Sequence, residues 1–178
     1  ALSAFSLAAK ANGSPEFRKT ADSIASYISG TLMQSGKLVR AYKSGKPVGQ
    51  ASLADYAYVA EGFWDYYPLT GNNEDMATAQ SMLNAGWEQF YSPNGWRLGS
   101  MAGIQSGGRQ GIIADGPQSS PSSVLLNISY KLAQQTGDKE LQKKVKQALG
   151  YDALSLDSNA FWYATQVRVI GEVFLGGE

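Results

Sequence analysis

The sequence predicts an all-α fold, a partial (α/α) toroid of helical hairpins with short β-ribbons in its long loops. Three observations support this prediction. A helix ending recurs along the chain, helices with one apolar face alternate with helices that are apolar on two faces, and tight turns alternate with long irregular segments. Helices in two concentric layers produce this alternation, whereas the connections of a compact helical bundle are mostly short.

The recurring helix ending reads LTGN at residues 69–72 and QTGD at residues 135–138, with ANGSP at residues 11–15 as a weaker third copy. A glycine can adopt the left-handed conformation that ends a helix, and the Asn, Asp or Ser that follows can cap the next helix with its side-chain oxygen. Each copy therefore predicts a tight helix-turn-helix connection. The three glycines are Gly13, Gly71 and Gly137.

The apolar pattern predicts which helices are inner and which are outer. Residues 14–30 and 141–149 each place their apolar side chains on one stripe, so these helices are expected to face solvent on the other side. Helices that are apolar on more than one side are expected to be inner, and they cover residues 1–11, 53–71 and 124–133. The predicted order is therefore inner and outer in alternation, with a seventh helical segment around residues 158–166.

The segments between the hairpins are long. Residues 37–53 alternate around a Ser-Gly-Lys-Pro turn and predict a hairpin ribbon. Residues 92–120 contain many helix breakers and predict a long loop with a short strand pair. Both segments are expected at one end of the stack, where a ligand cleft is favoured. Residues 166–178 are rich in β-branched residues and are predicted to be extended.

We expect residues 1–178 to form a single helical-hairpin domain that is a fragment of a larger toroid. Three and a half hairpins do not complete a ring, and the extended end of the chain is predicted to lack a partner. The missing hairpins are expected to leave an apolar strip exposed, which predicts self-association of the fragment.

Composition limits the chemistry. The chain contains neither cysteine nor histidine, which excludes disulfides, thiol nucleophiles, Ser-His-Asp triads and His/Cys zinc sites within it. The sequence contains no D-x-D-x-D-G calcium loop, and we expect neither a metal nor a cofactor. Lys and Arg total 15 and so do Asp and Glu, which argues against a nucleic-acid or membrane partner. We expect a soluble protein and favour the cytoplasm.

Two motifs resemble a known family. The chain has L-A-D-Y-A at residues 53–57 and D-G-P-Q-S-S-P-S-S at residues 115–123, followed by a helix that closes on QTGD. This ordered set resembles the C-terminal helical region of the thioredoxin-domain, spermatogenesis-associated-protein-like family. The family pattern is closer to D-G-x-x-P-S-G-N-S, and here Ser119, Pro121 and Ser122 replace its proline, glycine and asparagine.

The resemblance implies a toroid of the six-hairpin glycosidase superfamily, related in shape to N-acylglucosamine 2-epimerases. It also implies that a thioredoxin-like domain precedes this region in the parent chain and is a partner of it. Epimerase catalysis by paired histidines is not implied, because the chain has no histidine.

Asp55 and Asp115 are the candidate catalytic residues. Glycoside hydrolysis uses two carboxyl groups that face each other across the scissile bond. Asp55 is predicted near the start of an inner helix, and Asp115 is predicted in a loop just before another, so both could reach a central cavity from the same end. The alternative is that they cap helices or bind backbone N–H groups, which is the more common role of such residues.

The candidate ligand-binding residues are Tyr56, Glu61, Trp96, Ser120 and Ser123. Glu61 shares a helix face with Asp65 and could line a cavity, although such pairs are more often solvated or bonded to a lysine. Aromatic rings can stack on sugars but are usually core at helical spacing, so Trp96, in a loop, is predicted to be the exposed one. The serines can bind a polyol or cap a helix.

These observations lead to two functional hypotheses. The first is a domain that binds or processes a carbohydrate, with Asp55 and Asp115 as its acid and base. The second is a catalytically silent scaffold that supports the thioredoxin-like domain of the parent chain. Both hypotheses depend on an analogy of fold, which does not by itself fix function.

Overall fold

The computed structural model describes residues 1–34, 36–99, 113–153, 156 and 160–176. Over these residues the protein is mostly helical, as predicted, with seven α-helices and short antiparallel strands. The helices are α1 (Leu2–Asn12), α2 (Pro15–Tyr27), α3 (Leu53–Thr70), α4 (Asn73–Phe90), α5 (Pro121–Thr136), α6 (Lys139–Ala153) and α7 (Ala164–Phe174). A π-helical turn, Ile28–Leu32, follows α2, and a 3-10 turn, Ala160–Tyr163, precedes α7.

The three tight turns form as the sequence predicts. The glycine after α1, α3 and α5 is left-handed in each case, with φ of 67°, 64° and 72°. The side chain of the following residue then accepts a hydrogen bond from the first turn of the next helix. These bonds join Ser14 to Phe17 N, Asn72 to Glu74 N, and Asp138 to Leu141 N. Each glycine ends one helix and each cap begins another, so the chain folds into three helical hairpins.

One layer of the fold consists of α1, α3, α5 and α7, each in contact with the next. Helices α2, α4 and α6 pack against this layer, and each contacts the helix that precedes it in the chain. The core lies between the two sets, and α5 is buried along most of its length. Successive helices therefore alternate between the two layers along the chain, in the order that the sequence predicts.

Helices α4 and α5 approach closely at Gly86. A Cβ atom at this position would lie 2.3 Å from Cδ1 of Leu125, which is itself fully buried. A larger residue would force Leu125 or one of the two helices to shift, so Gly86 permits the close approach of the second and third hairpins.

The predicted ribbon is a three-stranded antiparallel sheet. Strand β2 (Lys37–Lys43) pairs with β3 (Lys46–Gln50) on one side and with the short β1 (Met33–Gln34) on the other. A second strand pair, β4 (Tyr91–Ser92) with β5 (Gly95–Trp96), follows α4, where the sequence predicted a short pair in the long loop. The remainder of that loop lies partly outside the described residues.

The prediction of an extended C-terminal segment is wrong, because α7 runs through most of it. Gln166, Val169 and Val173 recur at helical spacing and are all buried. Burying this stripe against α5 outweighs the modest strand preference of its β-branched residues. The seventh helical segment predicted around residues 158–166 is therefore real but continues to Phe174.

In the described part of the chain, every helix is too short or too polar to span a lipid bilayer.

Candidate functional site

The inner face is the side of the layer α1, α3, α5, α7 that lies away from α2, α4 and α6. Tyr58, Glu61 and Asp65 occupy this side of α3, because residues three and four apart share one side of a helix. All three are half-buried. Charged or hydroxyl groups from the neighbouring inner helices affect the pKa values of Glu61 and Asp65. These groups belong to Ser3 and Lys10 of α1, Lys131 of α5 and Arg168 of α7.

Burial raises the pKa of Glu61, and the nearby charge of Asp65 raises it further. Lys131 and Arg168 act in the opposite direction but do not cancel the shift. Burial also raises the pKa of Asp65, against a 2.5 Å hydrogen bond from the Ser3 hydroxyl. At a given pH, both carboxyl groups therefore hold a proton more often than they would in water.

The Tyr58 hydroxyl is influenced by both Glu61 and Asp115. Burial raises the pKa of its hydroxyl, and the charges of Glu61 and Asp115 raise it further. The hydroxyl donates a 2.6 Å hydrogen bond to the Ser119 carbonyl, just before α5. Tyr58 thus stays protonated and links α3 to the loop that carries Asp115.

Asp115 has the opposite electrostatic character. Burial alone would raise its pKa, but hydrogen bonds from Thr165 and from Ser120 N, together with the charge of Arg168, hold it below the ordinary value. One carboxylate oxygen accepts from Ser120 N at 2.7 Å, and the other accepts from Thr165 N at 2.8 Å. Asp115 is therefore ionised, and it joins the start of α5 to the start of α7.

Asp55 lies away from this group. Its carboxylate accepts from both the backbone N–H and the hydroxyl of Ser52 at 2.7 Å, and its own N–H bonds to the Ser52 hydroxyl at 3.4 Å. This is a capping box at the start of α3. Asp55 points about 120° around the helix from Glu61, at 3.6 residues per turn. The charges of Asp115 and Glu61 both affect the pKa of Tyr58, and Asp55 is not among the groups that do so.

The capping role of Asp55 predicts a loss of stability. Asp55→Ala is expected to lower the free energy of unfolding by about 0.5–2 kcal/mol, because it leaves the N–H and the hydroxyl of Ser52 without their shared acceptor. Urea unfolding followed by circular dichroism measures this loss. Glu88→Ala, on the exposed side of α4, is the control and is expected to change stability by less than about 0.5 kcal/mol. Equal stability of the two variants would contradict the role.

Ser120 and Ser123 are fully buried. The Ser120 hydroxyl caps α5 by accepting from Ser123 N at 3.4 Å, and it lies 3.0 Å from the Ser122 hydroxyl. The Ser123 hydroxyl donates to Gln166 Oε1 at 2.5 Å and so joins α5 to α7. Both hydroxyls are occupied within the fold, in the capping and packing roles that were the alternative to binding a polyol.

The prediction that Trp96 is exposed is wrong, since its exposed fraction is 0%. Its ring packs against Trp87 and Tyr91, with centroids 5.2 and 4.8 Å away. The turn between β4 and β5 folds back on α4, where Arg97 N donates to the Phe90 carbonyl at 3.0 Å. A loop position does not imply exposure when the loop closes over a core, so Trp96 cannot stack on a ligand here.

Tyr56 lies on the side of α3 opposite the inner face. Its ring is 2% exposed, and its hydroxyl accepts from Gln89 Nε2 at 3.2 Å and from Leu38 N at 3.4 Å. The hydroxyl lies at a cleft of about 630 Å3 between strands β2 and β3 and the C-terminal part of α4. We call this the ribbon cleft. It is separate from the inner face, so Tyr56 and Glu61 do not share a site.

The sequence indicates this face through the shared helix side of Glu61 and Asp65, and Tyr58 extends it by one turn. Tyr58, Glu61 and Asp65 form a polar stripe along a helix whose other sides are apolar, which is unusual for an inner helix. Lys131 and Arg168 carried no such signal, because only the packing of α5 and α7 brings them near. Among the described residues, no group of three acidic, His or Cys side chains is placed to hold a metal ion.

No protein-family model matches the chain, and no curated protein matches it. The resemblance to the thioredoxin-domain family therefore stands on its sequence motifs.

Proposed function

We propose that this chain is part of an (α/α) toroid of the six-hairpin glycosidase type that binds a carbohydrate on its inner face and acts on it with Glu61 and Asp115. The continuous layer of α1, α3, α5 and α7, with one helix of each hairpin packed behind it, supports the toroid. Stacked hairpins that contact only their neighbours curve, and the concave side of such a stack is a common binding surface.

One observation supports the proposal. The charges of Glu61 and Asp115 both raise the pKa of Tyr58, and the pKa values of these two carboxyl groups are themselves shifted in opposite directions. In glycoside hydrolysis, one carboxyl group gives a proton to the leaving oxygen, and an ionised one stabilises positive charge on the sugar or activates water. Neighbouring groups whose pKa values are driven apart suit these two roles. Glu61 takes the role of the acid and Asp115 that of the carboxylate, so Glu61 replaces Asp55 in the predicted pair.

The geometry of Asp115 is compatible with this role. Its two oxygens accept backbone N–H groups from Ser120 and Thr165 and a further bond from the Thr165 side chain, and because a carboxylate has about four acceptor positions, one remains for a ligand. The two N–H groups fix the orientation of the carboxylate and keep it ionised. Lys131 and Arg168 add donors on the same face for sugar hydroxyls.

Sugar binding tests the proposal. Amide chemical shifts of the protein are followed by NMR during titration with a panel of neutral oligosaccharides. Asp115→Asn is expected to weaken binding about tenfold or more, since it removes a charged acceptor. Asp55→Asn is the control and should leave binding unchanged. Equal weakening in both variants, or binding unaffected by either, contradicts the site; if Asp115→Asn unfolds the protein, Glu61→Gln takes its place.

A second proposal is that the chain is a catalytically silent scaffold for the thioredoxin-like domain of the parent chain. It is favoured by the structural roles of Asp55, Ser120 and Ser123, all of which cap helices or join them. If the sugar panel gives no shifts while that separately produced domain perturbs inner-face resonances, the scaffold replaces the carbohydrate site.

Self-association remains a prediction, and the two end helices of the inner layer support it. Leu7 of α1 is 50% exposed, as is Phe174 of α7, and Leu175 is 79% exposed. Sedimentation velocity over a concentration series is expected to show a dimer that dissociates on dilution. Phe174→Glu combined with Leu175→Glu should give a monomer, because burying these charges is costly. A monomer at every concentration of the unaltered protein would contradict the prediction.

A further inference from the structure

The ribbon cleft has the size of a small-molecule site. Its volume of about 630 Å3 falls inside the range of roughly 300–1,000 Å3 that is typical of ligand pockets. It lies on the opposite side of α3 from Glu61 and Asp65, so an inference about it does not depend on the proposed function of the inner face.

Two cationic side chains, Arg97 and Lys37, line the cleft. Arg97 is half-buried, and its Nε donates to the Gln89 carbonyl at 2.7 Å, which fixes the plane of the guanidinium group. Lys37 lines the same cleft from strand β2. Within the described ranges, the ion pairs are Arg18 with Asp22 and Arg168 with Glu172, so Arg97 and Lys37 have no carboxylate partner there. Their charge is available to an anionic ligand.

The same cleft is also lined by the buried Tyr56, whose hydroxyl bonds to two of the residues beside the cations. The Tyr56 hydroxyl accepts two hydrogen bonds, from Gln89 Nε2 and Leu38 N, and has no acceptor for its own proton among the described residues. The carbonyl oxygen of the Gln89 side chain likewise has no donor in the described part of the chain. Tyr56 is buried, whereas Gln89 is half-buried and lines the cleft, so its side-chain amide is accessible from the cleft. One donor and one acceptor, side by side, match a hydroxyl group of a ligand.

The charges in the cleft limit the ligand further. Lys37 and Arg97 contribute two positive charges, and Glu88 contributes one negative charge. A single carboxylate therefore leaves the filled cleft neutral, whereas a doubly charged phosphate ester leaves it with one net negative charge. A neutral sugar leaves the guanidinium without the planar, two-point partner that it prefers.

We propose that the ribbon cleft binds a small hydroxylated monocarboxylate, such as a sugar acid. The ligand carboxylate pairs with the Arg97 guanidinium, Lys37 adds its charge, and the Tyr56–Gln89 couple binds an adjacent hydroxyl. This assignment gives Tyr56 a ligand-binding role in a site that differs from the carbohydrate site of the inner face.

Titration with sodium glucuronate and galacturonate tests the proposal, with glucose at equal ionic strength as the neutral counterpart. Tryptophan fluorescence reports binding, because Trp96 precedes Arg97 and is buried against Trp87. Arg97→Gln is expected to weaken binding of the sugar acid about tenfold or more, and Tyr56→Phe by roughly two- to tenfold. Arg40→Gln removes the same charge from strand β2 outside the cleft and should leave binding unchanged.

Three outcomes would overturn the proposal. The first is that neither sugar acid binds at millimolar concentration. The second is that glucose binds as tightly as the acids do. The third is that Arg40→Gln weakens binding as much as Arg97→Gln. If Arg97→Gln destabilises the fold, Arg97→Lys keeps the charge but loses the planar fork. That variant should still weaken binding, and unchanged affinity in both Arg97→Lys and Tyr56→Phe would also overturn the proposal.

Discussion

Under the proposed glycosidase function, Glu61→Gln is expected to slow the hydrolysis of aryl glycosides by about 10²–10⁴-fold, the usual contribution of a general acid. Glutamine keeps the size of the side chain and its place on α3 but has no acidic proton for the leaving oxygen. The loss should be large for a phenyl glycoside, whose leaving group needs that proton. It should be small for a dinitrophenyl glycoside, whose leaving group departs as a stable anion.

Initial rates of the two glycosides, measured with the unaltered protein and with the variant, give the comparison. Glu140→Gln makes the same substitution at an exposed position of α6, outside both proposed sites, and should leave both rates unchanged. If Glu61→Gln lowers both rates by the same factor, the residue acts in binding or folding and is not the acid. Unaltered rates for both glycosides would remove Glu61 from the mechanism.

The same variant should also make the protein more stable at neutral pH. Because the pKa of Glu61 is raised in the folded state, its contribution favours folding below the unfolded value of about 4.3 and is lost as the pH rises through the folded value. Removing the charge should therefore add about 0.5–2 kcal/mol at pH 7 and much less at pH 4. Thermal unfolding at both pH values measures the difference, and a variant less stable than the parent at pH 7 would contradict it.

Phe90→Ala is expected to lower the free energy of unfolding by about 3–5 kcal/mol. The Phe90 ring is fully buried at the end of α4 and packs against the Tyr56 ring, with centroids 5.7 Å apart. Its loss leaves a cavity where α3, α4 and strand β5 meet. Since small domains are stable by only about 5–15 kcal/mol, the variant should lose a large part of the total.

Chemical denaturation followed by tryptophan fluorescence measures this loss. Phe161→Ala deletes the same ring from a position that is 81% exposed and should cost less than about 0.5 kcal/mol. If the two variants unfold at the same denaturant concentration, Phe90 does not pack as the structure shows.

The hairpins and the ribbon could be predicted from the sequence because their signals are local. Gly71 followed by Asn72 specifies a helix stop and start within a few residues, and the turn at Gly45 lies between two alternating runs. The fold of α7 could not be read this way. Val169 and Val173 fit a strand or a helix, and only their burial against α5 decides between them.

The candidate site was predicted less well than the fold. Asp115 was correctly singled out as a residue before an inner helix, and its electrostatic role then depends on Thr165, fifty positions further along the chain. Glu61 and Asp65 were recognised as sharing a helix face. Their raised pKa values depend on how much water the neighbouring helices exclude, and sequence spacing carries no information about that.

Within the inner layer, each helix makes its main contacts with the inner helices next to it, so the helices are not all stabilised to the same extent. Helix α3 is held by inner helices on both sides, whereas α7 contacts α5 and α6 from the end. Fraying at that end costs less free energy than global unfolding, and it withdraws Arg168 from the inner face while Glu61 and Asp65 stay on α3. The electrostatic potential of the inner face therefore depends on whether α7 is folded. A partner that binds to α7 and stabilises it would also change the pKa of Glu61, which lies on a different hairpin.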